Sequence, residues 1–332
     1  MKMENTIIIG GGPCGMSCAI ELQKQGINPL IIEKENVVNT IYNFPTHQTF
    51  FSSSEKLEIG NIPFITERQK PVRNQALAYY RSVADRTNLR LRTFEKVTEV
   101  VKEAESFLIR TEKSDNTKCE YKCKHVVIAT GYYDQPNQMN IPGEDLPKVM
   151  HYFKEAHPFF KKDVVVIGGK NSAVDATLEL NKAGANITVL YRGNTYSKSI
   201  KPWILPEFDS LVRKDIVRME FNAQTLEITN DRVKYMVNGE TKSVSNDFVF
   251  AMTGYKPNND FMKRIGISIN EQSGKPAFNE MTYETNIPNV YVAGVVAAGY
   301  NNNQIFIENG RHHGKQIADD IVNKKLESIE NA

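Results

Sequence analysis

The chain has 332 residues, of which 40% are hydrophobic and 24% are charged, as in ordinary soluble globular proteins. At about 150 residues per domain, this length predicts two domains. The 41 basic and 39 acidic side chains leave a net charge of +2, which gives no case for nucleic acid or a membrane surface as a partner. No apolar run approaches the ~18 residues of a membrane span. Four cysteines cannot form a disulfide scaffold, so we expect a reducing, cytoplasmic location.

A strand, a glycine-rich turn, a helix and a second strand follow one another at the start of the chain. An apolar run precedes Gly10-x-Gly12-x-x-Gly15, and the second apolar strand ends at Glu33. The first glycine permits a tight turn, the second lets a pyrophosphate approach the backbone, and the third lets helix and strand pack closely. Glu33 stands where ribose hydroxyls are bound. This order predicts a dinucleotide-binding fold.

The same order of elements recurs in the middle of the chain, with a different turn. An apolar strand leads into Gly168-Gly169-Lys170, where a lysine replaces the second glycine of the fingerprint. The following strand ends at Arg192 instead of an acid, and Lys198 lies beyond it. An arginine at this point suits the 2′-phosphate of NADP(H). The alternative is that Arg192 is a solvated surface residue and that the Lys170 side chain prevents the turn from binding a nucleotide.

Two dinucleotide folds, the second inserted into the first, resemble the flavoprotein reductases of the thioredoxin-reductase type. Asn-Phe-Pro at 43–45 resembles their turn beside the flavin, and Ala-Thr-Gly at 129–131 resembles their segment at the domain crossing. Tyr-Val-Ala-Gly at 291–294 resembles the strand that meets the ribityl chain. A helix beginning near Gln304–Ile305 would aim its positive end at the flavin pyrimidine.

Two features depart from the thioredoxin reductases. Those enzymes carry Cys-x-x-Cys shortly before the second glycine turn, whereas the segment 151–158 has no cysteine. The aspartate that contacts the ribityl chain is replaced by Val295. We therefore do not expect direct reduction of thioredoxin by a mobile dithiol.

A narrower resemblance, to the bacilliredoxin reductases or bacillithiol disulfide reductases, covers nearly the whole chain. Its motifs are Gly-Gly-Gly-Pro-Cys-Gly at 10–15, Phe-Pro-Thr-His-Gln-Thr-Phe-Phe at 44–51, Ala-Thr-Gly-Tyr-Tyr-Asp at 129–134, Gly-Gly-Lys-Asn-Ser-Ala at 168–173 and Ser-Ile-Lys-Pro-Trp at 199–203. The resemblance implies FAD and NADPH as cofactors. It also implies electron flow to bacillithiol disulfide or to bacilliredoxin, and a homodimer.

The fold that follows is α/β, with two Rossmann-like domains and a small β-meander over 95–123. We predict a discontinuous FAD-binding domain over 1–137 and 256–332, with the NADPH-binding domain inserted over 138–255. The predicted FAD-binding residues are Gly10, Gly12, Pro13, Gly15, Glu33, Lys34, Asn43, His47, Gln48, Val97, Thr130, Gly131, Gly294, Val295, Gln304 and Ile305. The predicted NADPH-binding residues are Gly168, Gly169, Lys170, Asn171, Ser172, Arg192 and Lys198.

Cys14 stands in the first glycine turn, and the resemblance implies that it relays electrons between flavin and disulfide. A helix N-terminus lowers the pKa of a thiol and the cofactor phosphates raise it, so the sequence leaves the direction open. The alternative role is helix packing, which we assign to Cys18, one turn further on. Cys119 and Cys123 lack the partners of a metal site, and none is predicted. As proton donors to a leaving thiolate, His312 and His313 are the best candidates.

Three other functions share parts of this pattern. A flavin monooxygenase would carry phenylalanine at 145 and glycine at 147, where this chain has Asp145 and Pro147. A ferredoxin or flavodoxin NADP reductase has the same fold but does not need Cys14. A redox sensor would bind both nucleotides and pass electrons to no acceptor.

Overall fold

A computed structural model describes residues 2–301 and 303–330 of the chain. The chain forms two compact units. Unit 1 comprises Met1–Tyr42, Gln48–Gln135 and Lys256–Ala332, and unit 2 comprises Asn43–His47 and Pro136–Tyr255. No helix among the described residues is long and apolar enough to span a bilayer.

Fifteen strands and nine α-helices are present in the described ranges. The strands are β1 (Met3–Ile9), β2 (Leu30–Ile32), β3 (Arg90–Arg92), β4 (Glu95–Lys102), β5 (Phe107–Lys113), β6 (Lys118–Ile128), β7 (Val149–Met150), β8 (Asp163–Ile167), β9 (Asn186–Leu190), β10 (Val217–Glu220), β11 (Gln224–Ile228), β12 (Arg232–Val237), β13 (Glu240–Ser245), β14 (Phe248–Ala251) and β15 (Val290–Val292). The helices are α1 (Pro13–Lys24), α2 (Asn39–Tyr42), α3 (Ser54–Leu57), α4 (Arg73–Arg86), α5 (Asn171–Lys182), α6 (Leu205–Arg213), α7 (Asn259–Ile265), α8 (Ile307–Gly310) and α9 (His313–Glu330), and two 3-10 turns lie at His157–Phe159 and Gly294–Ala298.

Unit 1 contains a seven-stranded sheet in the order β3-β2-β1-β6-β5-β4, with β15 also paired to β6. Strands β3, β2, β1, β6 and β15 are mutually parallel. Strand β5 is antiparallel to β6, which follows it after a short turn, and β4 is antiparallel to β5. Ile7, Ile31, Val126 and Val292 are fully buried in it. Such Val/Ile runs are typical of parallel strands covered on both faces.

Unit 2 contains a five-stranded parallel sheet in the order β10-β9-β8-β14-β7 and a separate antiparallel sheet β11-β12-β13. The β8–α5–β9 succession is the second strand–turn–helix–strand pattern of the sequence. Both units therefore have the Rossmann-type arrangement that the sequence predicts, and the α/β fold class is confirmed. The sequence analysis did not predict the sheet of β11-β12-β13.

Two expected elements differ from those observed. The predicted meander is not separate, because its third strand continues into the parallel part of the sheet as the single long strand β6. The helix expected near Gln304–Ile305 begins at Ile307 and is interrupted after Gly310. The cause of the late start is the Asn309 side chain, whose Oδ1 accepts from Phe306 N at 2.8 Å and so caps the helix.

Two histidines in unit 1, the half-buried His125 and the buried His313, make its stability depend on pH. Burial lowers the pKa of both His125 and His313 to about 4, from an ordinary value near 6.5, and for His125 the neighbouring Lys324 and Lys124 add to the shift. The unfolded chain therefore binds more protons between pH 4 and 6.5, so this contribution is complete above pH 6.5 and is lost as the pH falls. We expect the free energy of unfolding to drop by about 2 kcal/mol per histidine from pH 7.5 to 5.

Urea unfolding of the protein at the two pH values measures this dependence. His125→Gln should reduce it by about half, and substitution of the exposed His157 by Gln should leave it unchanged. An unaltered pH dependence in the His125 variant would show that other groups cause it.

Candidate functional site

The first glycine turn joins β1 to α1 and leaves space only at its centre. A Cβ on Gly10, whose φ is +113°, would lie 2.5 Å from the Ala129 carbonyl oxygen, and one on Gly15 would lie 2.1 Å from the Gly10 carbonyl oxygen. A Cβ on Gly12 would meet no protein atom within 4 Å. Gly12 is the N-cap of α1 and supplies no side-chain cap, with Pro13 in the first turn. Open backbone at a helix N-terminus suits a pyrophosphate, so these residues fit FAD.

Glu33, directly after β2, is buried behind this turn. Its Oε2 accepts from Gly11 N at 2.7 Å, and its Oε1 accepts from Glu35 N at 3.0 Å. Burial raises the pKa of Glu33, and the two backbone donors oppose that effect by stabilising the carboxylate. These bonds fix the carboxylate beside the glycine turn, where a carboxylate can accept further bonds from ribose hydroxyls.

The other predicted FAD residues of unit 1 lie on its loops, on β4 and in the 3-10 turn that begins at Gly294. Lys34 pairs with Asp134 at 2.8 Å, and Gln48 accepts from Arg73 N at 2.8 Å through its carbonyl oxygen. Half-buried Val97 packs against the core of the unit. Thr130 and Gly131 are half-buried after β6, and Gly131 has a φ of +70°. Val295 is half-buried in the turn after Gly294. Gln304 is exposed, and Ile305 packs on the core.

The segment Asn43–His47 belongs to unit 2, whereas the predicted domain boundaries put it in the FAD-binding domain. Thr46 N donates to the Lys154 carbonyl oxygen at 3.0 Å, and the Thr46 hydroxyl donates to Glu155 at 2.7 Å. His47 Nδ1 lies 3.9 Å from Glu179. Burial lowers the pKa of His47. These contacts explain why the segment belongs to unit 2, which the spacing of motifs could not reveal.

The Cys14 thiol lies in a niche that two glycines create. A Cβ on Gly294 or on Gly310 would each lie 2.9 Å from Cys14 Sγ, so a larger residue at either position would displace the sulfur. Burial raises the pKa of Cys14 to about 12, and the Glu308 carboxylate adds to the rise. The sequence did not decide whether the pKa of Cys14 is raised or lowered. In the structure it is raised, since desolvation of the thiol has a larger effect than the helix N-terminus. Cys18, one turn away, is fully buried, as expected of a core residue.

The two histidines predicted as candidate proton donors have different surroundings. His313 Nδ1 accepts from Gly294 N at 3.1 Å, and the ring stacks on Tyr283 with centroids 4.0 Å apart. With its pKa lowered to about 4, His313 is neutral at physiological pH. His312 is exposed and accepts from Arg311 at 3.3 Å. The role of either histidine as a proton donor stays a prediction, and the sequence could not show that His313 accepts a hydrogen bond from a backbone amide.

The sequence analysis did not identify three charged or hydroxyl side chains around the niche. The Ser52 hydroxyl donates to Glu308, and Arg311 Nη1 donates to the carbonyl oxygens of Glu55, at 3.0 Å, and Glu58, at 2.5 Å. These bonds fasten α8 to the segment around α3. The Asn-Gly pair at 309–310, within an otherwise helical pattern, was the only sequence signal for an interruption here, and it does not specify which residues make these bonds.

The second glycine turn joins β8 to α5 in unit 2. A Cβ on Gly168, with φ +144°, would lie 2.5 Å from the Met252 carbonyl oxygen, as in the first turn, and one on Gly169 would strike the Tyr191 ring at 2.3 Å. Lys170 is the exposed N-cap of α5 and provides no side-chain cap. Arg192 and Lys198 are exposed, and Ser172 lies in the first turn of α5. An uncapped helix end with exposed cations fits a phosphorylated nucleotide.

The sequence matches the profile of the pyridine nucleotide-disulphide oxidoreductases over residues 7–294. The chain belongs to this family. It is 60% identical over 328 residues to bacilliredoxin reductase Bdr of Bacillus subtilis, covering 98% of this chain and 99% of that protein.

Two solved structures, both bacillithiol disulfide reductases Bdr, are also similar. That of Bacillus cereus has a TM-score of 0.96 at 60% identity, over 97% of this chain and 100% of the other. That of Staphylococcus aureus has a TM-score of 0.93 at 58% identity, over 98% and 100%. The predicted resemblance is confirmed, and family membership implies FAD and NAD(P)H as cofactors. Among the described residues no cluster of acidic, histidine or cysteine side chains could hold a metal ion.

Proposed function

We propose that this protein is an NADPH-dependent FAD enzyme that reduces bacillithiol disulfide, or the mixed disulfide of bacillithiol with bacilliredoxin, through Cys14. The observation that carries the proposal is the position of Cys14 on the first turn of α1, two residues after the open backbone at Gly12. That position places a thiol next to the site we propose for FAD. The similarity to proteins named for this substrate supports the choice of bacillithiol.

FAD, when bound, accepts a hydride from NADPH and supplies two electrons to the disulfide. We propose that Gly12 and Pro13 present open backbone to its pyrophosphate and that Glu33 binds its ribose. The remaining unit 1 residues predicted for FAD stay predictions. Lys170, Arg192 and Lys198 supply the positive charge that a 2′-phosphate requires, which favours NADPH over NADH.

Cys14 would act by thiol–disulfide exchange. Its sulfur attacks one sulfur of the substrate, the substrate S–S bond breaks, and a mixed disulfide with Cys14 forms while one thiolate leaves. The pKa of Cys14 is about 12, so the thiol must lose its proton during the attack. That proton would pass to the leaving thiolate. Reduction of this mixed disulfide by two electrons and two protons would restore the Cys14 thiol and release the second thiol, and the electrons are the chemistry that FAD would supply.

Anaerobic consumption of NADPH tests the proposed activity. Bacillithiol disulfide, alone or with bacilliredoxin, should drive oxidation of one NADPH per disulfide reduced, with two thiols formed. Oxidised thioredoxin should drive none, since the described unit 2 carries no Cys-x-x-Cys. Rapid reduction of ferredoxin or flavodoxin without any response to the disulfide would instead favour the ferredoxin-type alternative.

A further inference from the structure

The Asn171 side chain joins the start of α5 to a loop that carries two lysines. Its Nδ2 donates to the Ser199 carbonyl oxygen at 2.9 Å, and its Oδ1 accepts from Lys201 N at 2.9 Å. The amide therefore bridges both sides of one loop residue, Ile200, with its donor and its acceptor. Sequence reasoning assigned Asn171 to direct contact with NADPH, but both polar ends of its side chain bind the protein backbone.

The loop is held in place by other contacts as well. Ile200 is buried in the core of unit 2, and its N–H donates to the Ser197 carbonyl oxygen at 3.1 Å. The Ser197 hydroxyl also accepts from Ser199 N at 3.3 Å. Lys198 is exposed, and Lys201 Nζ lies 5.9 Å from the centroid of the Trp203 ring. A buried anchor and a short set of backbone bonds thus fix the loop from which the two lysines project.

We propose that Asn171 is a positioning residue for NADPH, which holds the 198–201 loop beside the N-terminus of α5 so that Lys201 and Lys198 meet the 2′-phosphate. The inference rests on the proposed function, because it uses the NADPH site assigned there. Lysine loses considerable rotamer freedom when it binds an ion. Fixing its backbone in advance lowers the entropic cost that phosphate binding has to overcome. NADH lacks the 2′-phosphate, so its binding should be insensitive to this loop.

The test measures KM for NADPH and for NADH with ferricyanide as electron acceptor, an assay that needs no disulfide and no Cys14. Asn171→Ala should raise KM for NADPH about tenfold, as expected for the loss of a charge-assisted contact, with KM for NADH changed less than about twofold. Lys201→Met should act in the same direction. The double variant should be no worse than about the more severe single one, because both changes remove one interaction.

Two matched variants control for general effects in unit 2. Asn186→Ala removes an asparagine whose amide also donates a side-chain bond, to Asp163 at 3.0 Å, and Lys242→Met removes an exposed lysine of β13. Both should retain the preference for NADPH. Equal increases in KM for both nucleotides in Asn171→Ala, or an unaltered preference in Lys201→Met, would overturn the positioning role.

The second variant keeps the test decisive if Asn171→Ala does not fold, since Lys201 is half-buried on a surface loop and Lys201→Met leaves both bonds of Asn171 to the loop backbone in place. Failure of the proposed function gives a different result. In that case the wild-type enzyme itself would show no preference for NADPH, or would reduce ferricyanide but not bacillithiol disulfide.

Discussion

Cys14→Ser is expected to abolish disulfide-driven NADPH oxidation, by about a thousandfold or more, while FAD stays bound. A hydroxyl cannot exchange with a disulfide, and serine is small enough for the niche between Gly294 and Gly310. The measurement is anaerobic turnover with bacillithiol disulfide, beside the flavin absorbance of the purified protein. Reduction of ferricyanide by NADPH should stay near the wild-type rate, because that reaction bypasses the thiol.

Cys18→Ala provides the matched control on the same helix face. Cys18 is fully buried one turn further along α1, so its loss should lower stability and leave disulfide turnover within about threefold. If Cys14→Ser also keeps turnover within a few-fold of wild type, Cys14 is a packing residue. The flavin would then reduce its acceptor directly, as in the ferredoxin-type alternative.

Gly12→Ala is expected to weaken FAD binding by about a hundredfold or more without destabilising the apoprotein. The added methyl would contact no protein atom within 4 Å, and the φ of −77° and ψ of 174° at Gly12 are available to alanine. The methyl would instead occupy the space through which a pyrophosphate reaches the N–H groups of α1. Titration of the apoprotein with FAD, together with its thermal unfolding, separates the two effects.

Gly15→Ala gives the contrasting result. Its methyl would lie 2.1 Å from the Gly10 carbonyl oxygen, a backbone atom that cannot move without opening the turn. We expect this variant to lose thermal stability as well as FAD. Wild-type FAD affinity in Gly12→Ala would show that the cofactor does not approach this backbone and would remove the basis of the proposed FAD site.

Much of the fold follows from short-range patterns. The strand, turn and helix around Gly10 and around Gly168 are observed where the sequence predicts them, because apolar runs and glycines act locally. The sheet of β11-β12-β13 was missed, since only β12 alternates clearly between buried and exposed residues, whereas β11 and β13 do not and β13 is largely exposed. The late start of α8 also escaped prediction, because it depends on one side-chain bond from Asn309.

The candidate site likewise has residues that the sequence identifies and features that only the structure shows. Gly12, Glu33 and Cys14 could be selected from spacing and family resemblance, and their roles remain predictions for the experiments above. The role of Asn171 could not be foreseen, because its partners lie about thirty positions away on another loop. Nor could the pKa of Cys14 be predicted, since it depends on how deeply Gly294 and Gly310 bury the sulfur.

The amino-acid sequence by itself determined that this chain has two Rossmann-type folds, that it belongs with the disulfide reductases, and that its cofactors are FAD and NAD(P)H. These properties reside in contiguous motifs, whose chemistry depends on neighbours along the chain. Only the tertiary structure decided that His313 serves a backbone amide, that Glu308 acts on Cys14, and that Asn171 holds the lysine loop. Each of these depends on residues far apart in sequence, and burial and hydrogen bonding between such residues arise only when the chain has folded.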